Sequence, residues 1–249
     1  RPPSPLERDR NSAMVYRAVC FDIDGTLYPA KVMNRRLLAL GLRHPVFAMK
    51  YNRMRRSYRE LQRGFEDDPS LKDASLRVRE ATILQKNYGI CEKKDIGVVE
   101  DRLEKWIYEP MKRLYANTKP YDGVSQTFQS LKENGVLVGV FSDFPLFDKL
   151  GSMGLSKYVD FAASSEDVGF LKPSVHCFEH LLYNMDLRPC EVLYVGDSYS
   201  KDVAGAHNAG IDAVLVNAKG GADRYSLACG VFSTWADFDG WLSGRMEDV

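Results

Sequence analysis

Apolar and polar positions along the chain follow two different periods. Residues 15–21 are mostly apolar and β-compatible, the pattern of a strand buried on both faces of a sheet. From Tyr28 to about Tyr115 the period becomes that of helices. Met33, Leu37 and Leu40 recur at helical spacing, as do Val46 and Met49, then Leu76, Ile83 and Leu84, then Val99, Leu103 and Ile107. An acidic turn at 64–69 and Tyr88-Gly89-Ile90 punctuate this stretch, which predicts an all-helical insert. After Lys119-Pro120-Tyr121-Asp122-Gly123 strands and helices alternate. The pattern predicts a helix to Asn134 stopped by Gly135, then strands over 136–141, 161–163, 192–195, 213–216 and 231–232. Helices are predicted near Phe147, over 174–185 and 204–208, and at the end of the chain. Strands separated by helices define an α/β fold, a doubly wound parallel Rossmann-like sheet carrying an inserted helical cap. Residues 14–28 and 118–249 form the core, 29–117 the cap, and proline-rich 1–13 a disordered leader.

Composition narrows the class. The 249 residues carry 34 basic and 34 acidic side chains, so no global field draws the chain to nucleic acid. The cysteines are five, an odd number, and stand far apart, which fits a reducing cytoplasmic setting and no zinc cluster. No apolar run reaches the roughly 18 residues that span a bilayer, so no membrane association is expected.

The chemistry gathers at strand ends, where open parallel sheets bind ligands. Asp22 and Asp24 project to the same side of an extended segment and repel one another. A cation between them, or a proton held on one, would relieve the repulsion. Gly25 permits a sharp exit, and Thr26 offers a hydroxyl and an N–H. Ser142-Asp143 ends a second strand, and Asp197, with Asp202 five residues on, follows a third. Lys172-Pro173 supplies a counter-charge from a loop, and the oxygen-rich donor set favours Mg²⁺ over zinc.

The order Asp22-Ile23-Asp24-Gly25-Thr26-Leu27, Ser142, Lys172-Pro173, Gly196-Asp197-Ser198 with Lys201-Asp202 resembles that of a haloacid-dehalogenase-superfamily hydrolase of the phosphatase type, with a helical cap after the first motif. The resemblance runs from about Val15 onward. It implies that Asp22 attacks phosphorus and becomes an aspartyl-phosphate, and that Asp24 protonates the leaving alcohol and then deprotonates water. Asp24 would hold its proton near neutral pH, favoured by crowding among carboxylates. It implies Mg²⁺ held by Asp22, the backbone carbonyl of Asp24 and Asp197, with Asp202 completing or bracing the site. Ser142 would donate to a phosphoryl oxygen and Lys172 would stabilise the gathered charge. Asp143 stands where many relatives carry Asn, which is unfavourable unless it points away or pairs with a cation.

The expected substrate is a small phosphorylated metabolite. A dehalogenase should not need Asp24 or Asp197, whereas a phosphomutase would keep every core residue and differ in the cap. A binding or regulatory module would work instead through the basic stretch from Lys31 to Arg63, which holds Arg53, Arg55, Arg56 and Arg59. That stretch reads first as a solvated helix face, ahead of a role in attracting an anionic substrate. His176 and His180 read as ordinary helix surface, and Lys219-Gly220-Gly221 as a loop. The linkers 28–30 and 117–120 are the expected hinges of the cap.

Overall fold

The computed structural model describes residues 16–93, 95–115, 118–219 and 224–246. The leader expected over 1–13, and Gly220 and Gly221, lie outside the described residues. Strand β1 (Ala18–Phe21) leads into cap helices α1 (Ala30–Gly41), α2 (Pro45–Leu61), α3 (Leu76–Tyr88), α4 (Ile96–Leu103) and α5 (Glu109–Leu114), the last two joined by a π-helical turn, Glu104–Tyr108. The core resumes with α6 (Val124–Glu133), β2 (Leu137–Ser142), α7 (Lys149–Ser152), β3 (Phe161–Ser164), α8 (Ser165–Val168) and α9 (Val175–Met185). It closes with β4 (Val192–Gly196), α10 (Ala204–Asn208), β5 (Asp212–Leu215), β6 (Gly230–Val231) and α11 (Trp235–Met246).

Among the described residues six strands form one parallel sheet, in the order β3-β2-β1-β4-β5-β6. The chain builds outward from β1 to β3 on one side, then crosses back to β4 and builds the other. The order therefore reverses between β1 and β4, the kind of switch point where open sheets bind ligands. Phe21 pairs in register with Val140 and Val195, so the residues that follow β1, β2 and β4 leave the sheet at one edge.

Alternation along β1 explains why helices cover both faces. Phe21 packs on Phe128 of α6 and on Trp235 and Phe238 of α11. Cys20 points the other way, onto Met185 of α9, and its neighbour Tyr194 meets Phe178 of the same helix. Burying Phe21 contributes roughly 2–3 kcal/mol, and the side chain is fully enclosed.

Helix α2 shows why the insert folds as a cap. Phe47, Tyr51, Met54, Arg55 and Tyr58 share its buried face at helical spacing, and Pro45 sits in its first turn. Ser75 caps α3 by accepting from the Val78 N–H, and Gly89, at φ +63, ends it. The two linkers of the cap are tied together, since the Tyr121 N–H donates to the Leu27 carbonyl at 2.8 Å. Asn117, in a linker expected to act as a hinge, lies outside the described residues. One expected element is displaced: Phe147 occupies a left-handed turn at φ +44, and the short helix near it begins only at Lys149. Among the described residues no helix is long and apolar enough to cross a membrane.

Candidate active site

The edge below the switch point gathers Asp22, Asp24, Ser142, Lys172, Asp197 and Asp202. Asp22 extends β1 by one rung, its N–H donating to the Val195 carbonyl at 2.9 Å. Its carboxylate accepts from Lys172 Nζ at 2.6 Å and from the Thr26 hydroxyl at 3.0 Å. Lys172 Nζ donates equally to Asp202, at 2.6 Å, and reaches the Tyr194 hydroxyl at 3.2 Å. Asp202 is fixed in turn by the Ser198 N–H at 2.9 Å. The turn after β1 is drawn tight: Gly25 has φ +107, and a Cβ there would stand 2.2 Å from an Asp197 oxygen. Asn217 pins the same turn by donating to the Gly25 carbonyl at 3.0 Å.

Carboxylate oxygens of Asp22, Asp197 and Asp202 lie within 4.8 Å of one another. Lys172 contacts two of the three, Asp22 and Asp202, and no ion pair to Asp197 is found among the described residues. Burial, with the charges of Asp202, Asp197 and Asp24, pushes Asp22 up to about 7 despite Lys172. Burial and Asp202 push Asp197 up to about 6. This uncompensated negative charge, offered by hard oxygens in a compact cluster, fits a divalent cation of the Mg²⁺ type.

Asp24 sits in a different environment. It accepts from Lys149 Nζ at 2.7 Å, from the Ser142 hydroxyl at 2.9 Å and from the Tyr28 hydroxyl. Burial alone would raise its pKa, but Lys149 and the three donated bonds hold it below the usual carboxylate value. The resting site thus differs from the expected protonated Asp24, because a buried lysine faces it. Nor does Ser142 point at an open anion site, since its hydroxyl is already given to Asp24. Burial lowers Lys149, and the charge of Asp24 offsets part of that effect. Lys149 also touches Ser142 at 3.1 Å and packs 4.2 Å from the Tyr115 ring centre.

The cap supplies the answer to Asp143. Arg59 donates to its carboxylate at 2.6 Å, and the Lys172 N–H donates to the other oxygen at 3.0 Å. Burial would raise Asp143, yet Lys172, Arg59, Lys201 and Arg55 together hold it well below the usual range. Arg59 also donates to the Lys172 carbonyl at 2.9 Å. Gln62 makes paired bonds to the Leu171 backbone at 2.9 and 2.8 Å, and Tyr58 donates to the Gly169 carbonyl at 2.7 Å. Arg55, far from a solvated face, is buried between Glu80 and the Asp143 carbonyl, each at 2.8 Å. One helix of the cap therefore grips the loop that carries Lys172. His176 rests on Phe170 at 4.2 Å, beside Glu66 at 3.4 Å and Glu179 at 3.6 Å, and belongs to no three-residue metal-ligating group among the described residues.

A buried cluster of carboxylates with lysines, set at the switch point of a parallel sheet under a helical cap, defines a capped hydrolase of the Rossmann-like class. The family model for haloacid dehalogenase-like hydrolases matches residues 16–210. The chain belongs to that family. It is 29% identical over 206 residues to the glyceraldehyde 3-phosphate phosphatase of Methanothermobacter thermautotrophicus, covering 82% of this chain and 86% of that one. It is 28% identical over 221 residues to the ribulose-1,5-bisphosphate 5-phosphatase of Halopiger xanaduensis, covering 80% and 83%. Among solved structures, the HAD-hydrolase YfnB of Bacillus subtilis bound to magnesium superposes with a TM-score of 0.60 at 20% identity, covering 92% of this chain and 99% of that one.

Proposed function

We propose that the protein is a Mg²⁺-dependent phosphatase that hydrolyses phosphomonoesters through an aspartyl-phosphate on Asp22. The observation that carries this reading is the pairing of two differently furnished carboxylates: Asp22 faces Lys172 and the acidic cluster, and Asp24 faces Lys149, Ser142 and Tyr28. Two relatives bearing phosphatase names support it.

Asp22, Asp197 and Asp202, with the Asp24 carbonyl, would hold the cation. Bound there, Mg²⁺ would screen the repulsion between a phosphate and Asp22. An Asp22 oxygen then bonds to phosphorus as the P–O bond to the alcohol breaks. Lys172 holds the attacking carboxylate in place and neutralises charge as the anions meet. The departing alkoxide takes a proton from Asp24. A phosphate dianion beside Asp24 opposes the lowering by Lys149 and lets it carry that proton. In the second half, water attacks phosphorus, Asp24 accepts its proton, and the bond to Asp22 breaks to release phosphate. Ser142, freed when Asp24 is protonated, turns its hydroxyl to a phosphoryl oxygen.

The test is a panel of phosphomonoesters assayed with Mg²⁺, with chelator and with Asp22→Asn. The reading requires loss of turnover with chelator, and a fall on the order of 10⁴-fold or more for the variant, as removal of a nucleophile produces. Chelator-resistant turnover that survives Asp22→Asn would refute it.

A further inference from the structure

The cavity over Asp22 and Asp24, of 370 Å³, does not end the accessible space. A second cavity of 570 Å³ adjoins it, and the two share Asn34, Leu37 and Phe144 in their walls. The lining residues on α1 and α2 step outward along both helices. On α1 they run from Met33 through Leu37 to Gly41, and on α2 from Arg59 through Arg56, Arg53 and Asn52 to Pro45. The two antiparallel helices thus frame one cleft leading away from the carboxylates. At 1.5 Å of rise per residue, the stretch from Arg59 to Met49 is about 15 Å long.

The character of this cleft is distinct from that of the site it adjoins. Leu37, Leu40, Trp106, Ile107 and Met111 give it an apolar floor, with the Trp106 indole stacked on His44 at 4.1 Å. At its mouth Leu38 is 70% and Leu42 72% exposed, with Met49 also open to solvent. Large apolar side chains clustered on the rim of a cavity are what a ligand would cover. Arg53 and Arg56 also line the cleft, both exposed, and neither is in an ion pair among the described residues. Arg53 lies six residues from Arg59 on α2, about 9 Å along the axis.

We propose that the substrate's organic part is an elongated apolar body, of aryl or acyl character, that lies between α1 and α2 and carries a second anionic group at Arg53 and Arg56. The assignment rests on the phosphatase reading for its phosphate end. A triose-sized ester would occupy only the inner cavity and leave the apolar floor and both guanidiniums without a ligand. The apolar body displaces water from Leu37 and Trp106, and the distal anion pairs with arginines that otherwise face solvent.

The test compares glycerol phosphate, (biphenylyl)methyl phosphate and its 4′-carboxylated form, all esters of primary alcohols, as substrates of the whole protein with Mg²⁺. The two biphenylyl esters should exceed glycerol phosphate in kcat/KM by about tenfold or more, the scale that a well-filled apolar pocket provides. Asn52→Trp, which fills the cleft, should lower the biphenylyl-to-glycerol ratio by a similar factor. Arg53→Ala with Arg56→Ala should lower the preference for the carboxylated over the plain biphenylyl ester by about tenfold. A binding arm uses biphenylyl phosphonate, which cannot be hydrolysed, and follows Trp106 fluorescence, with Trp106→Phe as the control. Saturable quenching that Asn52→Trp weakens, with no phosphate released from any ester, would keep the cleft assignment and remove the phosphatase reading. Equal kcat/KM for all three esters, with ratios untouched by Asn52→Trp and by the arginine variants, would overturn the cleft assignment and leave the phosphatase reading standing.

Discussion

Replacing Arg59 by Met tests whether the cap holds the loop that carries Lys172 or merely lies on it. The substitution keeps most of the aliphatic volume and removes the guanidinium from Asp143, 2.6 Å away. Asp143 would then be a buried carboxylate with one good donor, the Lys172 N–H at 3.0 Å, and a long contact to the Ser165 hydroxyl at 3.5 Å. Breaking one side of a buried ion pair costs about 3–5 kcal/mol. The Arg59 side chain is 25% exposed, so solvent screening brings the expected loss to about 2–3 kcal/mol. Urea denaturation of Arg59→Met, Asp143→Asn and the double variant measures it. Asp143→Asn should be mild, because an amide still accepts from Lys172 and needs no counter-charge. In that background Arg59→Met should cost clearly less, because only its bonds to the Lys172 and Arg55 carbonyls, each at 2.9 Å, are then lost.

The pH dependence supplies an independent sign. Asp143 is depressed in the folded chain, so its contribution is present above the unfolded carboxylate pKa and is lost as pH falls through the folded value. Without Arg59 the folded pKa rises, and protonation relieves the variant first. The gap between wild type and Arg59→Met should therefore be widest near neutral pH and narrow as pH approaches about 4. A gap under about 0.5 kcal/mol at neutral pH, or an equal gap in the Asp143→Asn background, would refute the reasoning.

Other outcomes follow from the same geometry. Asp22 is pushed up to about 7 and Asp197 to about 6 without a cation, so the metal-free protein loses stability as pH rises through that range. At a fixed concentration Mg²⁺ should accordingly stabilise the fold more at about pH 8 than at about pH 5.5, by about 2.7 kcal/mol where it reaches a hundredfold excess over Kd; scanning calorimetry reads this as a larger rise in melting temperature, and an equal rise at both pH values would contradict the account. Lys149→Met should raise the Asp24 pKa, with the pH–rate limb of Asp24 moving to higher pH. An unmoved limb would exclude the pairing as the cause. Gly25→Ala should cost roughly 1–3 kcal/mol from the left-handed turn and, by driving a methyl group into Asp197, abolish the Mg²⁺-dependent shift. Retention of that shift would place the cation elsewhere.

Much of the core was legible because its signals are local. An apolar run that stops at Asp22, Ser142 or Gly196 announces both the strand and the polar residue it delivers, and the structure brings all six sequence-picked residues to one edge. Strand ends moved by only a residue or two, except at β1, whose expected start at Val15 lies outside the described residues. Lys149 was missed for a physical reason: it is placed by a left-handed turn at Phe147, and the carboxylate it faces, Asp24, lies 125 positions away in sequence. Arg55 and Arg59 carried a misleading signal. On a helix rich in basic residues they look solvated, and only tertiary contact with Glu80, 25 positions on from Arg55, and with Asp143 shows that their charges are matched. Nothing in the sequence periods marks Tyr28 or Asn217 as members of the site, since each acts through a single bond made after folding.

The grip of α2 on residues 169–172 bears on how such a protein can be recombined. Cap and core look like exchangeable modules, joined by two linkers and built from different secondary structure. Yet Arg59, Gln62 and Tyr58 are written in one segment, and the backbone groups and Asp143 that they bind are written in the other. A chimera made by cutting at the linkers would inherit half of each bond, and its lysine loop would be left without its clamp. Any transplant of this cap has to bring residue 143 and the 169–172 loop with it, so the unit of exchange is larger than the inserted domain.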